Sequence, residues 1–243
     1  MRIAVLLSGQ LRSAAFCFPS LRRHVLDRLG PCDIFAHIAD DADVSLVSRL
    51  NPRALVVVNA PAFDEKDYRS HAGHDFGAAP EDVQRLLAQL WRLEQSNRLR
   101  LEAEHADGAR YDWVLRVRPD TLYHTDIEDL GGLDPAYVYL PTFGNFHGYN
   151  DRFAFGGAAV MDVYHARLGE PLDTYLAAGG VLHPECILRG ILDRADIPVR
   201  RTGVIFDTLR PNGTRLALTW SHHYGDVIPD FLPEWRRAPV LVA

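Results

Sequence analysis

Residues 111–121, Tyr-Asp-Trp-Val-Leu-Arg-Val-Arg-Pro-Asp-Thr, read as a buried strand that ends at a proline. The two-residue repeat of a strand places Arg116 and Arg118 on one face and apolar side chains on the other. Arginines at alternate positions of a central strand are costly unless they are paired or bind an anion. The proline leaves Asp120 where a divalent ion that bridges phosphates would be held. The alternative interpretation is a structural ion pair with a capping aspartate.

Apolar runs and helical patterns alternate on both sides of this stretch. Strands are predicted at residues 2–7, 33–38, 54–58, 111–117, 137–140, 153–161 and 199–206. Helices are predicted at residues 18–29, from about 81 to about 104, at 163–168 and at 185–194, with a polar loop at 63–80. The alternation in the first half predicts an α/β fold with a mostly parallel, doubly wound sheet, and the second half predicts a mixed extension. Ligands of such sheets bind beyond the carboxyl ends of the strands.

Composition limits the possible partners and location. The chain has 243 residues and a formal net charge of -6, whereas a nucleic-acid-binding surface normally shows a basic excess. Three cysteines, Cys17, Cys32 and Cys186, fit neither a disulfide framework nor a zinc ribbon, so we expect free thiols in a reducing compartment. No stretch approaches about 18 uninterrupted apolar residues. We therefore expect no transmembrane segment, a single domain over residues 1–243, and a cytoplasmic location.

The turn after the first predicted strand contains Ser8, Gly9, Gln10 and Arg12. Glycine permits a tight turn, and backbone N–H groups exposed there can face a phosphate or a nucleobase. The forked guanidinium of Arg12 suits paired contacts with a diphosphate. The turn lacks the spacing of the dinucleotide fingerprint and of the P-loop. A plain strand-to-helix turn with a solvated arginine is therefore an equal alternative.

Three features follow one another in order: the Ser-Gly-Gln-Leu-Arg turn at 8–12, the Tyr-Asp-x-Val-x-Arg-x-Arg-Pro-Asp strand at 111–120, and Asn-Asp-Arg-Phe-Ala-Phe-Gly-Gly at 150–157. This order resembles bacterial glycosyltransferases of the GT-A fold. The resemblance implies a GT-A-like, Rossmann-like domain that binds a nucleotide-diphosphate sugar. In that family an Asp-x-Asp signature binds a divalent ion, Mn or Mg, and the diphosphate. Here Arg-Pro-Asp stands in its place, so only Asp120 carries over.

The resemblance also implies a base that deprotonates the acceptor hydroxyl. Glu185, at the start of a predicted helix, aligns with that base, and this role would make the enzyme inverting. Asp151 is the rival base, or a contact of the donor-sugar hydroxyls. From the residues alone, Glu185 also reads as a first-turn carboxylate that merely favours the helix dipole.

Four further residues take roles from the resemblance. Gly156 and Gly157 would lie beside the donor sugar and shape its pocket. His222 or His223 would complete the metal or diphosphate site, since neutral imidazole is a competent ligand. From the residues alone, Gln89, on the long predicted helix, is expected to pack or to lie at the surface, and the alternative is that it faces the nucleotide.

These expectations combine into a hexosyltransferase-like glycosyltransferase with a nucleotide-diphosphate sugar as donor. Nucleotide binding is assigned to residues 1–125, and acceptor binding and catalysis to residues 126–243. The acceptor would be a glycan or a lipid-linked molecule in bacterial surface-polysaccharide synthesis. Two alternatives stay open: a nucleotidyltransferase, and a catalytically inactive sugar-nucleotide-binding protein, to which the altered Asp-x-Asp signature gives some weight.

Overall fold

The computed structural model describes residues 1–41, 43–71, 80–212 and 215–216. Its strands are β1 Ile3–Gly9, β2 Asp33–Ile38, β3 Ala54–Val57, β4 Trp113–Val117, β5 Thr121–Tyr123, β6 Val138–Pro141, β7 Ala154–Gly157, β8 Val199–Thr202, β9 Phe206–Leu209 and β10 Arg215–Leu216. Its α-helices are α1 Ala14–Leu21, α2 Asp27–Leu29, α3 Ser45–Ser48, α4 Lys66–Arg69, α5 Pro80–Asp107, α6 Ala158–His165, α7 Glu170–Ala177 and α8 Pro184–Arg194. A π-helical segment, Arg22–Leu26, joins α1 to α2, and a 3₁₀ turn, Leu130–Gly132, precedes β6.

Within these ranges, seven strands form one sheet in the order β3-β2-β1-β4-β7-β6-β8. Neighbouring strands run parallel, except that β7 runs antiparallel to both β4 and β6. The chain adds β2 and β3 on one side of β1 and then places β4 on its other side, so the winding reverses between β1 and β4. The predicted α/β fold with a mostly parallel sheet and a mixed extension is thus confirmed. The crevice beyond the strand ends at such a reversal is the usual ligand site.

Helices cover both faces of the sheet, as its apolar strands require. On one face, α1 and α3 pack on side chains that include Leu115 and Val117. On the other face, α5, α6 and α8 pack on side chains that include Val114. Because alternate residues of a strand share a face, Arg116 lies on the side of α5 and α6. The predicted separation of Arg116 from Leu115 and Val117 is confirmed.

Two predicted strands are wrong in extent. In residues 199–206, β8 of the large sheet ends at Thr202, and only Phe206 belongs to β9, which lies in a three-stranded sheet of order β10-β9-β5. The break occurs where Glu128 accepts hydrogen bonds from the Thr202 hydroxyl and from the Gly203 N–H, which draws the chain out of the sheet. In residues 153–161, β7 ends at Gly157 and α6 begins at once, because an apolar run alone does not distinguish a strand from a helix.

Several helix predictions also differ from the structure. α1 begins at Ala14 and has Pro19 inside it, whereas a start near residue 18 was predicted. The earlier start is fixed by Ser13, whose carbonyl accepts from the N–H groups of Phe16 and Cys17 at 2.9 and 3.2 Å. α6 begins five residues before the predicted 163, α4 lies in the predicted loop, and α7 and β5 were not predicted.

The other predictions concern the cysteines, membrane crossing and the C-terminal histidines. Cys17, Cys32 and Cys186 are free thiols, and burial raises the pKa of Cys17 to about 11. α5 has 28 residues, but no helix in the described ranges combines the length and the apolar character that a bilayer crossing requires. His222 and His223 lie outside the described residues, so their predicted roles stay predictions. The division into nucleotide and acceptor halves also stays a prediction.

Candidate functional site

A cavity of about 480 Å³ opens where β1 and β4 end, at the reversal of the winding. Its described walls come from six parts of the chain: the turn after β1, one edge of α5, the end of β4 with the turn after it, the residues just before β7, the first residue of α8, and Arg210 after β9. Its volume lies in the range of small-molecule sites, about 300–1,000 Å³. The described residues that line it are Ser8, Gly9, Gln10, Arg12, Asp82, Arg85, Leu86, Ala88, Gln89, Arg92, Arg116, Arg118, Asp120, Asp151, Arg152, Pro184 and Arg210.

Positive charge dominates this lining. Among the described lining residues, seven are arginines and three are aspartates. A cleft lined mainly by one sign of charge concentrates ligands of the opposite sign, and guanidinium groups match the geometry of phosphate oxygens. The cavity therefore suits an anionic ligand, although the whole chain carries a net charge of -6.

The turn after β1 fits closely against the turn after β4. Gly9 has a φ of +140°, and a Cβ at this position would lie 3.3 Å from Cδ of Pro119. Only glycine adopts this backbone conformation without strain. The neighbouring Ser8 is buried, and its hydroxyl has no hydrogen bond with any described residue. This hydroxyl is a donor at the lining of the cavity.

Arg116 is a buried cation at the same place. It is 1 % exposed, and its Nη1 donates to the Ser8 carbonyl at 3.0 Å and to the Val117 carbonyl. In the described part of the chain, its Nε has no hydrogen-bond partner and no carboxylate oxygen lies within 4.0 Å of its guanidinium. Burial lowers the pKa of Arg116 to about 10. Because a buried cation without an anionic partner is costly, a ligand anion at this position would be bound favourably.

Asp120 forms a two-pronged ion pair with Arg118. It is 2 % exposed, and its two carboxylate oxygens accept from Nε and Nη2 of Arg118, both at 2.9 Å. Burial alone would raise the pKa of Asp120, but the charge and hydrogen bonds of Arg118, with Arg12 and Arg116 beyond it, lower it. The structural ion pair that the sequence left as an alternative is therefore present, and this pair lines the cavity.

Arg12 brings another cation to this edge. Its φ is +28°, a conformation that side-chain-bearing residues rarely adopt and that occurs at functional turns. Burial lowers its pKa, and its charged neighbours include Asp120, Arg118, Arg210 and Asp41. Its guanidinium donates to the side chain of Gln10. The turn residues predicted to contact a nucleotide thus line the same cavity as Arg116 and Arg118.

The described residues around Asp120 do not form a ligand set for a divalent metal. Both oxygens of Asp120 already accept from Arg118. The part of the chain that the structure describes contains no group of three or more His, Cys, Asp or Glu side chains that could hold an ion. The predicted Mn or Mg ion stays a prediction, and no chemical step below depends on it.

Asp151 is a second carboxylate at the cavity, as predicted. Because β7 is antiparallel to β4, its beginning lies at the sheet edge where β1 and β4 end. Asn150 fixes the approach to β7: its Oδ1 accepts from the Arg152 N–H at 2.9 Å, and its Nδ2 donates to the Phe143 carbonyl at 2.7 Å. The turn therefore presents Asp151 and Arg152 to the same cavity as Arg116.

Glu185 lies behind the cavity. It is 1 % exposed, its Oε1 is 2.8 Å from Nη1 of Arg152, and its Oε2 is 3.1 Å from Nδ1 of His183. It occupies the first turn of α8, as predicted, but it is not among the described lining residues. In this arrangement Glu185 is the ion-pair partner of Arg152. Contact with a ligand would require that pair to open.

Gly156 and Gly157 serve close packing in the structure. They pair with the first residues of β4, at the end of the strand opposite to the arginines. A Cβ on Gly156 would lie 2.7 Å from the Tyr137 carbonyl oxygen, and one on Gly157 would lie 2.5 Å from the Pro135 carbonyl oxygen. Neither glycine is among the described residues that line the cavity. Their geometry explains why glycine is needed there without a neighbouring sugar.

The sequence did not predict that α5 forms one wall of the cavity. Arg85, Gln89 and Arg92 follow one another at helical spacing and share one edge of the helix. Arg92 is 6 % exposed and donates from Nη1 to the Val58 carbonyl at 2.7 Å. Gln89, expected to pack or to lie at the surface, donates to Oδ2 of Asp151. The spacing was a usable signal, but it does not indicate which edge of a helix faces a cavity.

Fold and site together define an α/β protein with an arginine-rich cavity at the carboxyl edge of its sheet. A comparison with protein-family models matches residues 1–208 to the Domain of unknown function (DUF7796). Since this match covers most of the chain, the protein belongs to that family. A search of curated proteins gave no match.

Proposed function

We propose that this protein is a GT-A-like glycosyltransferase that moves a sugar from a nucleotide-diphosphate donor to an acceptor hydroxyl. The observation that carries the proposal is Arg116, a buried cation that lines the cavity and has no carboxylate partner among the described residues. The acceptor is a glycan or a lipid-linked molecule of bacterial surface-polysaccharide synthesis, and the reaction takes place in the cytoplasm.

The arginines of the cavity bind the diphosphate. Arg116 contacts the diphosphate from the end of β4, and Arg12 and Arg118 contact it from the turns after β1 and β4. When the bond between the anomeric carbon and the diphosphate oxygen breaks, negative charge grows on that oxygen. Preorganised donors aimed at such charge are usually the largest catalytic contribution, and removal of one typically costs about 10²–10³-fold in rate.

A carboxylate receives the acceptor proton. Asp151 reaches the cavity and Glu185 does not, so the geometry favours Asp151 for this role. The acceptor oxygen loses its proton to the carboxylate and attacks the anomeric carbon as the diphosphate departs. Attack from the face opposite to the leaving group inverts the configuration at that carbon.

A thermal-shift screen tests the proposal. The protein is heated with sugar nucleotides based on UDP, GDP, CMP and dTDP, with and without manganese. A ligand at 100 times its Kd stabilises a protein by about 2.7 kcal/mol, and we expect a rise of about 5–10 °C in Tm for one diphosphate nucleotide. Arg116→Gln should abolish this rise. The matched control is Arg98→Gln, at an arginine of α5 whose side chain is 70 % exposed and paired with Glu102.

One observation favours a second candidate, a sugar-nucleotide-binding protein without catalysis. The Arg118–Asp120 pair occupies the oxygens that a catalytic ion would need. Transfer to an added acceptor, or slow hydrolysis of the bound donor, separates the two candidates. Stabilisation without either reaction supports the binding protein, and no stabilisation by any diphosphate nucleotide contradicts both.

A further inference from the structure

Asp151 is held by one of its two carboxylate oxygens. Oδ2 accepts from Nε2 of Gln89 on α5 at 2.5 Å, and Nη1 of Arg167 lies 4.0 Å from the same oxygen. The carbonyl of Asp151 accepts from the Tyr164 hydroxyl at 3.1 Å. Oδ1 forms no hydrogen bond with the described residues. The carboxylate is therefore fixed from two sides, with one oxygen left over.

Arg167 is a buried cation close to the carboxylates of Asp151 and Glu94. It is fully buried and follows α6, its Nε donates to the Tyr164 carbonyl at 2.8 Å, and its guanidinium stacks 4.4 Å from the centre of the Tyr164 ring. Neither Nη atom has a hydrogen-bond partner within the described ranges. Its one ion-pair contact there is with Asp151. A buried guanidinium this poorly bonded is costly, so its position needs an electrostatic explanation.

We propose that Gln89 and Arg167 are positioning residues that hold Asp151 by Oδ2 and direct Oδ1 to accept a hydrogen bond from a ligand hydroxyl. The identity of that hydroxyl as one of a sugar or an acceptor rests on the proposed function. The positioning of Asp151 by Gln89 and Arg167 does not depend on the proposed function. Asp151 thus accepts a hydrogen bond from a neutral hydroxyl of the ligand, next to the arginines that bind its anionic part.

The charges around Asp151 support this arrangement. Burial alone would raise its pKa, but the neighbouring cations outweigh burial and lower it. The groups that face it from the packed elements are Arg152 of its own turn, Arg167 and Tyr164 from the α6 side, Arg116 and Arg118 from β4, and the uncharged Gln89 from α5. A carboxylate that stays ionised is an acceptor only, as contact with a hydroxyl requires.

The pKa of Asp151 in the unliganded protein is the deciding measurement. Carboxyl ¹³C resonances of protein labelled at aspartate are titrated by NMR, and the Asp151 resonance is assigned by its loss in Asp151→Asn. Arg167→Met removes a cation and Gln89→Leu removes a hydrogen bond to the charged form, so each should raise the pKa. Arg167→Lys should restore most of the wild-type value. Arg100→Met, at another fully buried arginine that pairs with Glu104, should leave it unchanged.

The result that would overturn the positioning is a pKa of Asp151 that stays at the wild-type value in both Arg167→Met and Gln89→Leu. Gln89 is only half-buried, so its variant decides the matter if Arg167→Met does not fold. The hydroxyl contact is tested by calorimetry with UDP, UDP-glucose and free D-glucose. Asp151→Asn should weaken the two sugar-containing probes by roughly tenfold or more and leave UDP unchanged. Equal affinity of Asp151→Asn for the sugar probes would disprove that contact, and failure of UDP alone would count against the proposed donor.

Discussion

The substitution Glu185→Gln separates the sequence interpretation of this residue from the structural one. Removal of one partner of a buried ion pair costs about 3–5 kcal/mol. The side chain of Arg152 is 14 % exposed, so water reaches it, and glutamine keeps the shape and one acceptor oxygen of glutamate. We therefore expect a loss of about 2–3 kcal/mol, at or just below the lower limit of that range. For a chain of this length, this corresponds to a fall in Tm of about 4–12 °C.

Turnover should respond differently from stability. Because the Glu185 carboxylate does not line the cavity, Glu185→Gln should retain most of the wild-type transfer rate below its Tm, whereas Asp151→Asn should lose it. Calorimetry gives the Tm, and transfer is measured at a temperature where every variant is folded. Glu102→Gln is the matched control, because Glu102 is 59 % exposed and pairs with Arg98 on the outside of α5. Its Tm should stay close to wild type.

One combination of results refutes this reasoning. If Glu185→Gln melts with the wild type and binds the donor normally but no longer transfers sugar, then Glu185 is the base that the sequence resemblance implied. The ion pair with Arg152 would then open in the working enzyme. Loss of both stability and donor affinity would instead show that Glu185 supports Arg152 as a ligand contact.

Three further predictions concern single residues. Gly9→Ala should lower the free energy of unfolding by about 1–3 kcal/mol, because the φ of +140° strains alanine and its Cβ would press on Pro119. Urea unfolding measures this free energy. The lowered pKa of Asp120 means that its pair with Arg118 stabilises the protein above about pH 4 and that this stability is lost as pH falls through the folded pKa. Asp120→Asn removes the charge that pairs with Arg118, so transfer should be lost, and stability should depend less on pH below about pH 4, which acid titration of circular dichroism would show. Gly156→Ala should lower Tm, and calorimetry should show unchanged ligand affinity in the protein that folds.

The strands of the first half could be predicted from sequence to within about two residues. Residues 33–38 coincide with β2, and α5 lies within three or four residues of its predicted bounds. These elements have long apolar runs or a long apolar stripe, and their local pattern agrees with their packing. The run at 153–161 is apolar too, and residues 199–206 are rich in β-branched and apolar side chains, but packing and a glutamate hydrogen bond divide both segments. No local pattern contains that information.

The site was predictable in part for a related reason. Arg116, Asp120 and Asp151 follow or precede strands, so the topology of the sheet brings them to one edge. The pairing of Glu185 with Arg152 depends on how α8 docks against the turn before β7, and the contact of Gln89 with Asp151 depends on the rotation of α5. Both are long-range contacts, which the spacing of residues along the chain does not determine.

The reversed direction of β7 has a consequence for how such a protein can diversify. Arg12 and Arg118 belong to turns that leave forward strands, whereas Asp151 belongs to a turn that enters a backward one. The segment at 142–153 is thus separate along the chain from the segments at 8–12 and 116–120. Under the proposed function, chimeras that swap residues 142–153 but keep the buried Phe143, Asn150 and Phe153 should change the preference for the hydroxyl compound and leave the affinity for the diphosphate unchanged.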